Sequence, residues 1–142
     1  IEAGGNDRYS TRNSVAQGLA WDESVTLFID EAGDDIYEGG GFSQGASAMN
    51  AWAIFLDMGG KDTYLYCDQA ANGGNTYHGG KSLSFFVDVG GDEDYYLSKQ
   101  NNSVDTGGEY FIFLDIPGTL GQAFQNDKFS NPMIDESQGD GN

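Results

Sequence analysis

The sequence predicts an all-β protein: a right-handed parallel β-solenoid with about four to five coils of about 27 residues each. Three observations predict this fold. A motif with two acidic residues recurs at nearly constant spacing, each full-length copy after the first follows a short apolar segment, and the composition favours turns. The chain has 22 Gly, 9 Phe and 8 Tyr but only 2 Pro. Such a composition fits many short strands joined by tight turns.

The repeated motif is D-x-x-G-x-D-x-Y, which residues 30–37 show in full. The first acid of the motif, here called the anchor acid, occupies positions 2, 30, 57, 88 and 115, at intervals of 28, 27, 31 and 27 residues. The long interval predicts an insertion near residues 77–80. The copies are Glu2-Gly5-Asp7-Tyr9, Asp30-Gly33-Asp35-Tyr37, Asp57-Gly60-Asp62-Tyr64, Asp88-Gly91-Glu93-Tyr95 and the partial Asp115-Gly118.

A strand is predicted before each of the last four anchor acids, over residues 25–29, 52–56, 83–87 and 110–114. These runs of five apolar, β-branched or aromatic residues favour strands over helices. Weaker strands are expected through the motif Tyr and through a second landmark at 16–18, 43–45 and 71–73, with a doubtful fourth copy near Thr106 and Gly107. A unit of this size cannot bury its own apolar face, so stacking should place equivalent positions above one another.

The repeats divide the chain into one domain and a tail. The domain covers residues 1–122, with repeats near 1–10, 11–37, 38–64, 65–95 and 96–118. Residues 123–142 are predicted to form a partly flexible tail or cap. Because Ile1 falls inside a repeat, we expect the chain to be a piece of a longer protein.

The strand positions next to each anchor acid raise a question of orientation. The residue directly before the acid is aliphatic, and the residue two before it is Phe. If the aliphatic residues point inward, the phenylalanines form an exposed stripe of the kind that marks a contact surface. The alternative is that this face is covered by the chain's own turns or tail, such as residues 124–134. The interface candidates are Phe28, Phe55, Phe86 and Phe113.

Stacking also predicts two columns of acids. Two unit charges about 5 Å apart repel by roughly 3 kcal/mol at an effective dielectric constant near 20. Backbone N–H groups of the turns can offset this repulsion, and so can a bound cation such as Ca²⁺, which prefers carboxylate and carbonyl oxygens. Otherwise the acids only cap tight turns in which Gly supplies positive φ. The predicted metal ligands are Asp7, Asp30, Asp35, Asp57, Asp62, Asp88, Glu93 and Asp115.

The segments 4–9, 33–37 and 59–64 resemble the G-G-x-G-x-D-x-U-x repeat of RTX-type calcium β-rolls. The resemblance implies a secreted, Ca²⁺-bound parallel β structure. Here Tyr replaces the aliphatic residue, the second Gly of the motif is missing, and the period is three times longer. The layout is also similar to uncharacterised bacterial repeat proteins with L-x-D-x-G-G-x-D-x-Y and A-Q-G elements, a likeness that implies no function.

Charge and residue content exclude several classes of function. The net charge of −17, from 23 acidic and 6 basic residues, disfavours nucleic acid and anionic membrane surfaces as partners. No apolar run approaches the roughly 20 residues of a membrane span, and we find no segment in this sequence with the pattern of a signal peptide. The single cysteine, Cys67, permits no internal disulfide.

No motif indicates catalysis. His78 is the only histidine, and zinc and phosphate-loop signatures are absent. Paired carboxylates remain as an enzymatic option, but repetition of the same acids in every coil favours a structural role.

We therefore expect a non-catalytic, calcium-stabilised structural or interaction module, extracellular or at the cell surface, that stacks end to end with other copies or continues into a longer array. The alternative is a carbohydrate-binding or polysaccharide-cleaving β-helix that uses Trp21 and Trp52. Ice binding is disfavoured because the sequence has no regular Thr ladder.

Overall fold

The structure, a computed structural model, describes residues 1–12, 15–67, 69–73, 81–91, 94–95, 104–105 and 110–117. In these residues every regular element is a strand, which confirms the all-β prediction. The strands are β1 Arg8–Ser10, β2 Ala20–Trp21, β3 Val25–Asp30, β4 Ile36–Gly41, β5 Ser47–Ala48, β6 Trp52–Asp57, β7 Thr63–Cys67, β8 Asn72–Gly73, β9 Leu83–Val89, β10 Asp94–Tyr95, β11 Val104–Asp105 and β12 Phe111–Ile116.

The strands form three sheets that the chain visits in rotation. Sheet A has the order β11-β12-β9-β6-β3, sheet B has β1-β4-β7-β10, and sheet C has β2-β5-β8. All pairings are parallel except that of β11 with β12. We call one passage through B, C and A a level: β1–β3 form level 1, β4–β6 level 2, and β7–β9 level 3, while β10 and β12 belong to level 4.

The register of the levels agrees with the motif alignment. In sheet A, Asp30 pairs with Asp57, Asp57 with Asp88, and Asp88 with Asp115. Glu2 forms an isolated bridge to Asp30. In sheet B the motif tyrosines Tyr9, Tyr37, Tyr64 and Tyr95 lie opposite one another. The predicted parallel register of the anchor acids is confirmed.

The orientation of the sheet A strands answers the question that the sequence left open. Phe55, Phe86 and Phe113 are fully buried and Phe28 is half-buried, whereas the neighbouring Leu27 is 53% exposed. The interpretation with aliphatic residues inward and an exposed phenylalanine stripe is therefore wrong. The interface candidates Phe28, Phe55, Phe86 and Phe113 lie on the core side of the sheet, together with the anchor acids.

The core explains this orientation. The phenylalanine rings stack with centroids 4.8, 4.9 and 5.1 Å apart, and the motif tyrosines stack at 5.0 Å. These distances match the spacing of about 4.8 Å between paired strands, so in-register rings stack without a gap. The two columns meet edge to face, as between Tyr37 and Phe55 at 5.1 Å and 80°, a favoured aromatic geometry.

A column of buried glutamines ties the levels together near sheet C. Gln44 Nε2 donates to Gln17 Oε1 at 3.1 Å, and Gln69 Nε2 donates to Gln44 Oε1 at 2.6 Å. Gln69 is thus the structural equivalent of Gln44. The sequence alignment, which matched Asn72 to Gln44, is wrong by three residues, because level 3 is shorter here: Asn72 pairs with Ser47.

Several sequence predictions lie outside the described residues: the insertion at 77–80, the doubtful landmark at 106–107, Gly118, and the tail at 123–142. Within the described ranges, no helix is long and apolar enough to span a membrane.

The motif glycines allow the turns of neighbouring levels to touch. Gly60 has φ +152°, and a Cβ built there would lie 1.4 Å from the carbonyl oxygen of Gly33. Likewise, a Cβ built at Gly33 would lie 1.6 Å from the carbonyl oxygen of Gly5. Both of these oxygens belong to the backbone, so neither can move away without separating two levels.

We predict that Gly60→Ala lowers the free energy of unfolding by about 3 kcal/mol or more, since the backbone of two levels must shift. The matched control is Gly41→Ala. Gly41 has φ +48° with open space around its Cβ position. Its replacement should therefore lower the free energy of unfolding by only about 1–2 kcal/mol, the cost of a left-handed alanine. Urea unfolding measures both, and equal losses would contradict the stacking of the turns.

Candidate metal site in the carboxylate columns

The second acid of each motif joins one turn to the turn of the preceding level. Asp35 Oδ1 accepts the N–H of Asp7 at 2.6 Å, and Asp62 Oδ1 accepts the N–H of Asp35 at 2.7 Å. Asp34, one residue earlier in the motif, bonds to the following level instead. Its Oδ1 accepts the N–H of Lys61 at 2.9 Å. These hydrogen bonds give the acids the turn-capping role that the sequence left open, but they use only one oxygen of Asp35.

Three of the anchor acids accept a hydrogen bond from the motif tyrosine of their own level. Tyr9 donates to Asp30 at 2.8 Å, Tyr37 donates to Asp57 at 2.6 Å, and Tyr64 donates to Asp88. The sequence predicted strands through these tyrosines but not the bonds of their hydroxyl groups. No constant spacing reveals these pairs, because the bonded acid follows its tyrosine by 21, 20 and 24 residues.

Burial makes the charged form of these acids costly. Burial raises the pKa of Asp35 to about 6, despite the hydrogen bond from Asp7 N–H, and repulsion from Asp30 and Asp57 adds to the increase. Burial also raises the pKa of Asp57, against the lowering effect of the Tyr37 hydroxyl. Burial and the charge of Asp57 raise the pKa of Tyr37, so this hydroxyl remains a donor.

Asp35, Asp57 and Asp62 form a compact group of carboxylates. Each offers an oxygen that lies within 4.8 Å of the other two, and all three residues are buried. Asp35 Oδ2 and the neighbouring Asp30 Oδ1 are buried and accept no hydrogen bond from any residue that the structure describes. A buried carboxylate oxygen without a donor is costly, so this group favours a proton or a cation.

Carboxylate oxygens grouped in this way can act as ligands of one hard cation. Asp35, Asp57 and Asp62 are therefore the described residues that could hold a metal ion together.

The other predicted ligands lie elsewhere. Asp30, Asp88 and Asp115 are buried in the anchor column of sheet A. Asp7 is exposed in the turn of level 1. Glu93 lies outside the described residues. The structure thus brings three of the eight predicted ligands into one group.

Glu38 shows how the protein compensates a buried charge elsewhere. Its Oε1 lies 2.6 Å from Arg8 Nη2 and 2.8 Å from Arg12 Nη2. Hydrogen bonds from Arg12, Ser10 and Arg8 lower the pKa of Glu38 to about 2. The donors to Asp35 and Asp57, by contrast, are neutral N–H and O–H groups.

No family model, curated protein sequence or solved structure matches this chain.

We predict that the calcium-free protein loses stability as the pH rises from about 4 to 7. The folded pKa of Asp35, about 6, exceeds its ordinary value of 3.8, so the contribution of protonated Asp35 is complete below pH 4 and is lost as the pH rises through 6. Glu38 acts in the opposite sense at lower pH, because its contribution is lost as the pH falls from 4.5 through about 2.

The measurement is urea unfolding in chelator at a series of pH values. Asp35→Asn should reduce the decrease in the free energy of unfolding between pH 4 and 7, because an amide mimics the neutral carboxyl group. A smaller decrease should remain in this variant, because the pKa of Asp57 is also raised. The exposed neighbour gives the control Asp34→Asn, which should behave as the wild type. If the free energy of unfolding of Asp35→Asn and wild type changed equally with pH, the role assigned to Asp35 would be contradicted.

Proposed function

We propose that this chain is a non-catalytic structural or interaction module of an extracellular or cell-surface protein. In this proposal it is a right-handed parallel β-solenoid with coils of about 27 residues, stabilised by Ca²⁺ in its acidic interior. The observation that carries the proposal is the buried group Asp35, Asp57 and Asp62, with ligand oxygens within 4.8 Å of one another.

The repetition of the acids supports a structural role. The anchor acids pair with one another in sheet A, and three of them accept the same tyrosine hydrogen bond. A catalytic pair of carboxylates needs two different environments, one that favours the proton and one that favours the charge. The same hydrogen bond repeated at three levels supports a scaffold instead.

The balance of charge supports calcium. Adjacent acids in the column repel by roughly 3 kcal/mol at an effective dielectric constant near 20, and the donors to Asp35 and Asp57 carry no charge. A divalent ion can offset this repulsion and also bind the Asp35 oxygen that accepts no hydrogen bond from the described residues. The resemblance of the turns to RTX-type repeats agrees with this choice of ion.

The sheet order supports stacking end to end or continuation into a longer array. Strands β1, β2 and β3 each lie at an edge of their sheets, and all three belong to level 1. The edge of a parallel sheet presents backbone N–H and C=O groups that can pair with a further strand. A preceding repeat or a second copy can therefore extend the three sheets at this end.

A carbohydrate-binding or polysaccharide-cleaving β-helix is the second candidate, favoured by two exposed indole rings. Trp21 is 46% exposed and Trp52 is 54% exposed, and exposed aromatic rings are suitable platforms for sugars. Glycan binding that is abolished by Trp21→Ala and unaffected by chelator would favour this candidate over the calcium module.

We predict that Ca²⁺ binds with measurable heat and raises the melting temperature, since a ligand that binds only the folded state at a hundredfold excess over Kd adds about 2.7 kcal/mol of stability. Calorimetric titration, with thermal unfolding in calcium and in chelator, tests this. Asp62→Asn should weaken binding at least tenfold, because it removes a ligand charge but retains the Oδ1 acceptor for Asp35 N–H.

The control is Asp34→Asn, which makes the same change of charge at an exposed position in the neighbouring turn and should leave the affinity unchanged. Absence of both heat and a melting shift in the wild type would refute the calcium role. Equal weakening by the two variants would assign binding to the general negative charge rather than to the buried group.

A further inference from the structure

The outward side of sheet A is apolar throughout the four paired strands β3, β6, β9 and β12. Every outward position in their register carries an aliphatic or aromatic side chain. One column, for example, runs Leu27, Ile54, Phe85 and Ile112. We call this surface the outer apolar face.

This pattern is typical of a sheet that is covered on both sides. A sheet with one face in water alternates apolar and polar residues, whereas strands that are buried on both faces are apolar continuously. Yet Val25, Leu27 and Trp52 on the outer apolar face are 72%, 53% and 54% exposed, whereas Val89 and Ile116 at the other end of the face are buried. In sheet B, by comparison, outward positions include Arg8 and Thr63.

We propose that the outer apolar face binds the same face of a second copy of this chain, forming a two-fold symmetric dimer by sheet-on-sheet packing. The face carries no charged side chain, although the net charge of the protein is −17. It therefore offers no charge complement to an acidic or a basic partner, but an identical apolar face complements it. In-register columns give a regular surface, and two such sheets can pack about 10 Å apart.

The size of the face sets the strength of the dimer. Four strands about 4.8 Å apart and six residues long, at about 3.3 Å per residue, cover at most roughly 400 Å² in each copy, since Val89 and Ile116 are already buried. The total of roughly 800 Å² is below the 1,200–2,000 Å² of stable complexes, so the dimer is weak. Repulsion between two acidic copies weakens it further, and salt should strengthen it by screening that repulsion.

This inference goes beyond the proposed function. It uses neither the interior carboxylates nor the sheet edges of level 1, and it closes at two copies instead of growing end to end.

Sedimentation velocity of the full chain, from micromolar to millimolar concentration at low and high salt, tests the inference. The wild type should shift from monomer to dimer with concentration, and more so at high salt. Leu27→Lys should weaken the dimer at least tenfold. Thr63→Lys makes the same change of charge on sheet B and should dimerise as the wild type. Running each sample in calcium and in chelator separates this result from the metal site.

A wild type that is monomeric at every concentration and salt would overturn the proposal. If Leu27→Lys also lowered the melting temperature more than Thr63→Lys, another part of the same chain would be the occupant of the face. Dimers that resist Leu27→Lys, or species that grow beyond dimers in all three proteins, would assign association to the sheet edges and also overturn it.

Discussion

Parallel in-register pairing places each side chain of one level about 4.8 Å from the equivalent side chain of the next. Most other features of this protein follow from that constraint. For aromatic rings the spacing is favourable, and the phenylalanine and tyrosine columns stack at 4.8–5.1 Å through the core. For carboxylates it is unfavourable, because the anchor acids lie in the same register within the same buried interior.

The two columns compensate one another in part. The tyrosines whose rings stack also extend their hydroxyl groups to the anchor acids of their own levels. The remaining carboxylate oxygens are divided between turn capping and the group at Asp35, Asp57 and Asp62. Thus the sequence motif joins the core, the turn and the candidate metal site, and a change at one motif position affects all three.

The sequence was sufficient to predict the parallel register, because the spacing of the anchor acids leaves few other alignments. It could not orient the strands of sheet A. Both faces carry apolar residues, and the polar Ser84 and the anchor acids lie on the buried face, so the alternation of side chains does not indicate which face is buried. The ring spacing that selects Phe55 for the core is visible only once the strands are paired.

Two features of the interior, the glutamine column and the carboxylate group, could not be predicted from the sequence for other reasons. A fixed landmark spacing assigned Asn72 to the glutamine column, whereas the shorter third level places Gln69 there. The grouping of Asp35 with Asp57 and Asp62 depends on how the turn between sheets A and B folds back, which no spacing along the chain reveals.

The glutamine column gives the stack a polarity. In both bonds of the column, the amide nitrogen of the later level donates to the amide oxygen of the earlier level, from Gln69 through Gln44 to Gln17. These aligned amide dipoles make the two ends of the stack electrically different. A head-to-tail junction of two stacks would keep this donor-to-acceptor order, whereas a head-to-head junction would reverse it. Any fibre built from such units would therefore be directional, with unlike tips and growth that can differ between them.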